Sequence, residues 1–231
     1  MKKYPFLSLI LLFTLSMSLL PVSAVVPGQE DLDLFCTHAV LLDANHGEIL
    51  YDMKATEKAY PASITKIMTA LLVLEAIEYG QLSLDTPITA GETRMQGVTQ
   101  SYVNANLKLG EVLTVEELLY LTLIPSYADA CNVLAVAVDG TIEDFVDHMN
   151  RKASELGCQN THFTNPVGIH NENHYSTAYD LALILKAALE YDTYLEISKV
   201  PKYTLHATDM SGPREMYNTN ALVSTWRYSG Y

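Results

Sequence analysis

Ser63 and Lys66, a serine and a lysine three residues apart, are the residues of this sequence best suited to covalent chemistry. Residues three apart on a helix are surface neighbours, with Cβ atoms about 5 to 6 Å apart, so the lysine amine can reach the serine hydroxyl. A serine hydroxyl is a weak nucleophile until a base removes its proton, and a neutral amine can serve as that base. The spacing therefore predicts acyl transfer, with Ser63 attacking a carbonyl and Lys66 taking the proton.

This chemistry requires a lysine whose pKa lies well below its ordinary value, and the following segment predicts a helix that would lower it. Pro61 suits the first position of a helix, and the run from Ile67 to Ile77 leaves almost no polar face. Burial disfavours the charged amine, and the positive end of the helix adds to that effect. On spacing alone, an ordinary first turn with a solvated Lys66 remains open as the alternative.

A second hydroxyl, that of Ser126, follows Pro125 at the start of another apolar helix. Placed beside a serine and lysine pair, such a hydroxyl could pass a proton toward a leaving amine. Ser126 with Asp129 three residues later also suits a helix N-cap pair that needs no function. The sequence leaves both interpretations open.

The elements that would position these residues form an α/β mixture. Short β-rich runs at 38–42 and 48–51 surround a turn at 43–47, which predicts a hairpin. Thr114 with Glu117 predicts a capping box on a helix that Pro125 must interrupt. Further helices are predicted from near Thr141 and Thr177, loops and short strands at 88–109, and strand or loop at 203–206 and 216–223.

The N-terminus predicts export. Lys2 and Lys3, the apolar run Phe6–Leu20 and the small residues Val22–Ala24 form the three regions of a signal peptide, with cleavage after Ala24. An uncleaved anchor is the alternative, although the run of 15 residues is shorter than the roughly 20 that a spanning helix needs. We therefore expect a secreted or extracytoplasmic protein.

Charge and cysteines exclude several classes of function. The formal net charge of −13 argues against nucleic acid or an anionic membrane surface as a partner. Cys36, Cys131 and Cys158 contain no CxxC pair, so a disulfide framework is not indicated, although one bridge remains possible. Cys131 lies in an apolar helical stretch and is predicted to be a small core residue.

Three blocks of sequence, in order, resemble the serine D-alanyl-D-alanine carboxypeptidases, which are the low-molecular-mass penicillin-binding proteins. The resemblance runs from about Phe35 to Asn220, and the blocks are 61–66, 125–130, and 164–168 together with 174–182. It implies the α/β (α+β) fold of β-lactamases and DD-peptidases: an antiparallel sheet, a central buried helix and an all-helical subdomain. It implies no cofactor and no metal.

The resemblance also implies roles for individual residues. Ser63 would be the nucleophile, with its backbone N–H supplying half of an oxyanion hole; Lys66 would be the general base, and Ser126 a proton shuttle. The substrate would be the peptidoglycan stem peptide, and β-lactam antibiotics would acylate the same serine.

The sequence departs from this family's pattern in two places. Ala128 occupies the position of the asparagine in the family's SxN motif, so the substrate-binding residues stay unassigned, and the KTG motif of the family's later strand is absent. We expect residues 25–231 to be a catalytic domain incomplete at its C-terminus, lacking the last strands of its sheet, because an exposed sheet edge is an aggregation hazard. Membrane association would then require a segment outside this chain. The alternative is a chain that cannot perform the full reaction.

Three functions are compatible with these observations. The first is a secreted D-Ala-D-Ala carboxypeptidase, and the second is a catalytically impaired relative that binds peptidoglycan or penicillin. The third is a class A β-lactamase, which needs a deacylating glutamate for which no ExxLN-like segment is found. A metal site at His170 and His174 is disfavoured because the segment is not HExxH, and Tyr102 and Asn104 are weak candidates for substrate contact.

Overall fold

Helix α1 (Lys66–Glu78) lies at the centre of the computed structural model, which describes residue 32, residues 34–99 and residues 101–223. Its side chains are buried almost all round, from Met68 to Leu74 without interruption. The predicted buried helix is therefore confirmed. The predicted signal peptide at residues 1–24 lies outside the described residues.

Within the described part of the chain, five further α-helices surround α1, and each of them contacts it. The Thr114 hydroxyl accepts from the Glu117 amide while the Glu117 carboxylate accepts from the Thr114 amide, so the predicted capping box opens α2. Thr141 and Thr177 cap α4 and α5 as predicted. These helices are α2 (Val115–Leu123), α3 (Ala128–Asp139), α4 (Ile142–Glu155), α5 (Ala178–Ala188) and α6 (Asp192–Ser198).

The strands pair in three antiparallel sheets of two strands each within the described residues. The first sheet is the predicted hairpin, with Val40 opposite Asp52, and it packs against α5. The six strands are β1 (Ala39–Leu42), β2 (Ile49–Met53), β3 (Pro87–Thr89), β4 (Val112–Thr114), β5 (Lys202–Leu205) and β6 (Arg214–Tyr217). The antiparallel pairing and the central helix agree with the predicted fold class.

A buried ion pair joins strand β6 to the loop before β4. The Glu111 carboxylate is fully buried and accepts from the guanidinium of Arg214 at 2.9 Å, from the Thr208 hydroxyl at 2.8 Å and from the Lys108 amide at 2.8 Å. Burial raises the pKa of Glu111, but these hydrogen bonds outweigh burial and hold the pKa below its ordinary value. The β5–β6 hairpin is therefore anchored by one carboxylate.

All three cysteines lie within the described residues and are free. Cys131 is fully buried, as predicted, and the bridge that the sequence left open is not formed. Within the described part of the chain, no helix has the length and apolarity needed to cross a membrane.

Candidate active site

The Ser63–Lys66 pair lies where a 3₁₀ turn, Ala62–Thr65, runs into α1. The sequence predicted an α-helix from Pro61, but Pro61 is the N-cap of the 3₁₀ turn and Ala62 has a φ of 47°. Side chains at i and i+3 eclipse in a 3₁₀ turn, and the Lys66 amine lies 3.0 Å from the Ser63 hydroxyl. The residue types therefore meet as predicted, through a tighter turn than expected.

The two members of the pair differ in exposure. Ser63 is exposed, whereas Lys66 is only 4% exposed. Burial lowers the pKa of the Lys66 amine, with the Cys131 thiol acting weakly in the opposite direction. The result is a hydroxyl open to solvent beside an amine that favours its neutral form.

The Lys66 amine has one further partner among the described residues, the carbonyl oxygen of Val167 at 2.9 Å. A neutral amine has two N–H donors and one lone pair. It can donate to Val167 and turn its lone pair toward the Ser63 hydroxyl, which is the arrangement a general base requires.

The loop 164–169 carries that carbonyl and is held in place from within. The Asn165 side-chain oxygen accepts from the amides of Val167, Gly168 and Ile169. The Thr69 hydroxyl on α1 donates to the Pro166 carbonyl at 2.6 Å. The acceptor for Lys66 is thereby fixed against the helix that carries the lysine.

Gly168 brings this loop into direct backbone contact with the serine turn. Its φ is +93°, and a Cβ placed on it would lie 1.8 Å from the carbonyl oxygen of Ala62 and 3.0 Å from the amide nitrogen of Ser63. A side chain of any size is excluded at this position. The glycine therefore sets how closely the loop approaches the amide of Ser63.

His174 lies behind the pair, 1% exposed. Its Nε2 lies 2.8 Å from the Thr65 hydroxyl, and its Nδ1 accepts from the Thr164 amide at 3.0 Å. Burial, helped by nearby His162 and His170, lowers the pKa of His174 to about 4. The imidazole is therefore neutral at physiological pH.

Ser126 lies between α2 and α3 in the left-handed region, with a φ of 65°. Its hydroxyl makes no hydrogen bond within the described residues, and Tyr127 is the N-cap of α3 without a side-chain cap. The Asp129 carboxylate instead accepts from the amides of Ala105 and Leu107 at 2.8 and 3.0 Å. The N-cap interpretation of Ser126 and Asp129 was therefore wrong, because Asp129 serves a distant loop.

The first turn of α3 forms an apolar wall beside the lysine. Ala128 is 1% exposed and clusters with Cys131 and Val167, the residue whose carbonyl holds Lys66. Tyr102 packs against the same cluster. Ala128 thus brings a methyl group, and no hydrogen-bonding atom, into this wall.

The family model for D-alanyl-D-alanine carboxypeptidases, Peptidase_S11, matches residues 25–230 of the chain. The chain belongs to the D-alanyl-D-alanine carboxypeptidase family. A relative from Bacillus subtilis, D-alanyl-D-alanine carboxypeptidase DacF, is 37% identical over 187 residues, which is 80% of this chain and 46% of that protein. This membership confirms the resemblance stated from the three sequence blocks.

Solved structures agree with the family and the fold. Penicillin binding protein 5 from Haemophilus influenzae superposes with a TM-score of 0.78 at 28% identity, covering 87% of this chain and 57% of that one. A Streptomyces DD-transpeptidase superposes with a TM-score of 0.73 at 32% identity, covering 84% of this chain and 76% of that one. The chain spans about half the length of the first curated relatives it matches.

Several residues of this family member's site carried little signal in the sequence. The Val167 carbonyl is a backbone atom, so its residue type says nothing of its contact with Lys66. Asn132 is a polar residue within an apolar helical run, and that contrast could have indicated its role: its side chain donates to the carbonyls of Arg94 and Gln96. It ties the segment that contains Arg94 and Gln96 to α3.

The weaker candidates from the sequence have other surroundings. The Asn104 side chain donates to the Tyr102 carbonyl and accepts from the Asn106 amide, so it shapes its own loop. His170 is exposed and packs edge-on against Tyr60. Within the residues described, no three His, Cys, Asp or Glu side chains are grouped so that they could hold a metal ion.

Proposed function

We propose that this protein removes the terminal D-alanine of peptidoglycan stem peptides outside the cytoplasm, through an acyl-enzyme on Ser63. The observation that carries the proposal is the 3.0 Å contact between the exposed Ser63 hydroxyl and the buried Lys66 amine. Membership of the family supplies the substrate class. β-Lactams would acylate the same serine.

In the first step, the Ser63 oxygen attacks the carbonyl carbon of the penultimate D-alanine and its proton passes to the Lys66 nitrogen. The carbonyl oxygen becomes an oxyanion, which the Ser63 amide would stabilise, as the family resemblance implies. The bond between that carbon and the terminal D-alanine nitrogen then breaks. The proton goes to the leaving amine, and an ester on Ser63 remains.

In the second step, water attacks the ester carbon and gives its proton to Lys66. The ester bond breaks, and the proton returns to the Ser63 oxygen. Ser126 is proposed to relay the proton between Lys66 and the leaving amine, as the family resemblance implies. Its position at the junction of α2 and α3, next to the wall formed by Ala128, is compatible with that role.

The test is labelling with a fluorescent penicillin, followed by mass spectrometry of the labelled peptide. We expect stable labelling of the chain, none of a Ser63→Ala variant, and release of D-alanine from a pentapeptide stem. Absence of labelling in a form of the protein that also carries the family's KTG strand would overturn the enzyme proposal and favour a non-catalytic binding relative. Rapid turnover of the label would favour a β-lactamase.

Export is proposed from the N-terminal sequence and is tested separately. We expect protein recovered outside the cytoplasm to begin at Val25. A mature protein that keeps Met1 and its apolar run would contradict cleavage.

A further inference from the structure

His174 joins two segments that are far apart in sequence and adjacent in the candidate site. One partner is the Thr65 hydroxyl, 109 positions away, and the other is the Thr164 amide. The side-chain nitrogen of Asn165 and the Thr164 hydroxyl approach the same ring nitrogen at 3.4 and 3.3 Å. Because His174 is 1% exposed, water cannot replace these partners at low cost.

The contacts fix the tautomer of the ring. A backbone amide can only donate, so Nδ1 of His174 must be the acceptor for Thr164. The proton therefore resides on Nε2, which donates to the Thr65 hydroxyl. Only the neutral imidazole with this tautomer satisfies both ends at once.

Both ends of this link act on the Ser63–Lys66 pair. Thr65 belongs to the 3₁₀ turn that carries Ser63 and directly precedes Lys66. Thr164 opens the loop whose Val167 carbonyl accepts from the Lys66 amine. The ring therefore joins the turn holding the serine and lysine to the loop holding the lysine's acceptor.

We infer that His174 is a positioning residue for the Ser63–Lys66 pair, holding the serine turn and the loop 164–169 in register through Thr65 and Thr164. The inference rests on the proposed acyl-transfer function. The titratable groups that act on its ring are His162 and His170. No contact of His174 with substrate is required.

A set of substitutions at Thr65 and His174 separates positioning from stability. Thr65→Val removes the hydroxyl with little change of shape, Thr65→Ser retains it, and His174→Phe removes both ring contacts. His162→Phe is the matched control, because His162 is a histidine of the neighbouring loop that contacts neither Thr65 nor Thr164 through its ring. Three quantities are measured: the rate of Ser63 acylation by fluorescent penicillin, the melting temperature, and the pKa of Lys66 by competitive acetylation across pH.

We expect Thr65→Val and His174→Phe each to slow acylation about 10- to 100-fold, since misplacing reacting groups by about 1 Å costs about 100-fold. The double variant should be no slower than the slower single variant, because both remove one link. Thr65→Ser should stay within about threefold of the parent, and His162→Phe within about twofold. The pKa of Lys66 should rise in His174→Phe, as the loop loosens and water reaches the amine.

Multiplicative losses in the double variant, or lower melting temperatures with unchanged acylation, would overturn the inference and leave His174 a purely structural residue. Thr65→Val cuts the same hydrogen bond from the other side, so the test stands even when His174→Phe does not fold. Absence of acylation in a parent that also carries the family's KTG strand would refute the proposed function alone. The Lys66 titration then decides the positioning role, and an unchanged Lys66 pKa in both His174→Phe and Thr65→Val would refute it.

Discussion

Replacing Gly168 with alanine should separate the loop 164–169 from the serine turn. The added Cβ would lie 1.8 Å from the Ala62 carbonyl oxygen and 2.3 Å from its carbon, whereas ordinary contacts begin at 3.4 Å. The two backbones must therefore move apart by about 1.6 Å, although the loop is held by hydrogen bonds to Thr69 and Asn165 and the serine turn is held through Thr65 by His174. A displacement of this size should slow Ser63 acylation by about 100-fold or more.

The stability cost of the same substitution has two sources that can be separated. A left-handed φ costs an alanine about 1 to 2 kcal/mol, and overpacking adds about 1 to 3 kcal/mol. Gly157 has a φ of +84°, but a Cβ added to it would have no atom within 4 Å. Gly157→Ala is therefore a control that carries the free-energy cost of a left-handed φ but not that of the steric clash.

The assay compares urea unfolding and fluorescent penicillin acylation of the parent, Gly168→Ala and Gly157→Ala. We expect Gly157→Ala to lose about 1 to 2 kcal/mol and to acylate at the parental rate. Gly168→Ala should lose more stability and most of its acylation. Equal losses in the two variants would refute the proposal that close backbone contact at Gly168 sets the geometry of the serine.

Three further substitutions test the charges of the structure. Ala128→Asn adds a hydrogen-bond acceptor beside Lys66, which favours the charged amine and so raises the pKa of Lys66. The pH at which acylation reaches half its maximal rate should therefore rise by about one unit. An unchanged midpoint would contradict this account. Lys66→Met should abolish acylation yet raise the free energy of unfolding at pH 7, because burial lowers the pKa of Lys66 in the folded chain, which then binds the proton more weakly than the unfolded chain does. This gain in stability should shrink as the pH rises toward the pKa of the unfolded lysine, and a loss of stability at pH 7 would contradict the account. Glu111→Gln should lower the free energy of unfolding at pH 7 by about 3 kcal/mol. The control Glu116→Gln, at an exposed position, should change it little. Because the pKa of Glu111 is lowered in the folded chain, its contribution to the free energy of unfolding is fully present above the pKa of the unfolded chain. This contribution should be lost as the pH falls through the pKa of the folded chain. A difference between parent and variant in urea unfolding that does not change with pH would contradict this prediction.

The sequence predicted well where the physical cause is local. Thr114, Thr141 and Thr177 cap their helices because each cap needs only an amide three residues away. The contact of Ser63 with Lys66 is likewise a matter of one turn. Such features depend on spacing that a single sequence displays.

Contacts between distant segments could not be predicted in the same way. The Val167 carbonyl reaches Lys66 from 101 positions away, and a backbone carbonyl has no residue-type signature. The sequence suggested that Asp129 is a capping residue, but its carboxylate instead accepts hydrogen bonds from the amides of Ala105 and Leu107. Which donors reach this carboxylate depends on the tertiary structure, so the sequence alone does not show it.

The buried Cys131 thiol allows the opening of the candidate site to be measured by alkylation. Burial raises the pKa of Cys131 to about 11, and the sulfur contacts the carbonyl of Tyr127, the N-cap of α3. Because Cys131 packs against Val167 of the loop 164–169, an alkylating reagent can reach it only when α3 and this loop separate. The exposed Cys36 reacts without such a delay and supplies the intrinsic rate in the same molecule. The ratio of the two rates measures the fraction of molecules in which this part of the core is open, a quantity that no static contact distance conveys. The natural cysteines thus allow local opening around Lys66 to be measured without introducing a cysteine by mutation.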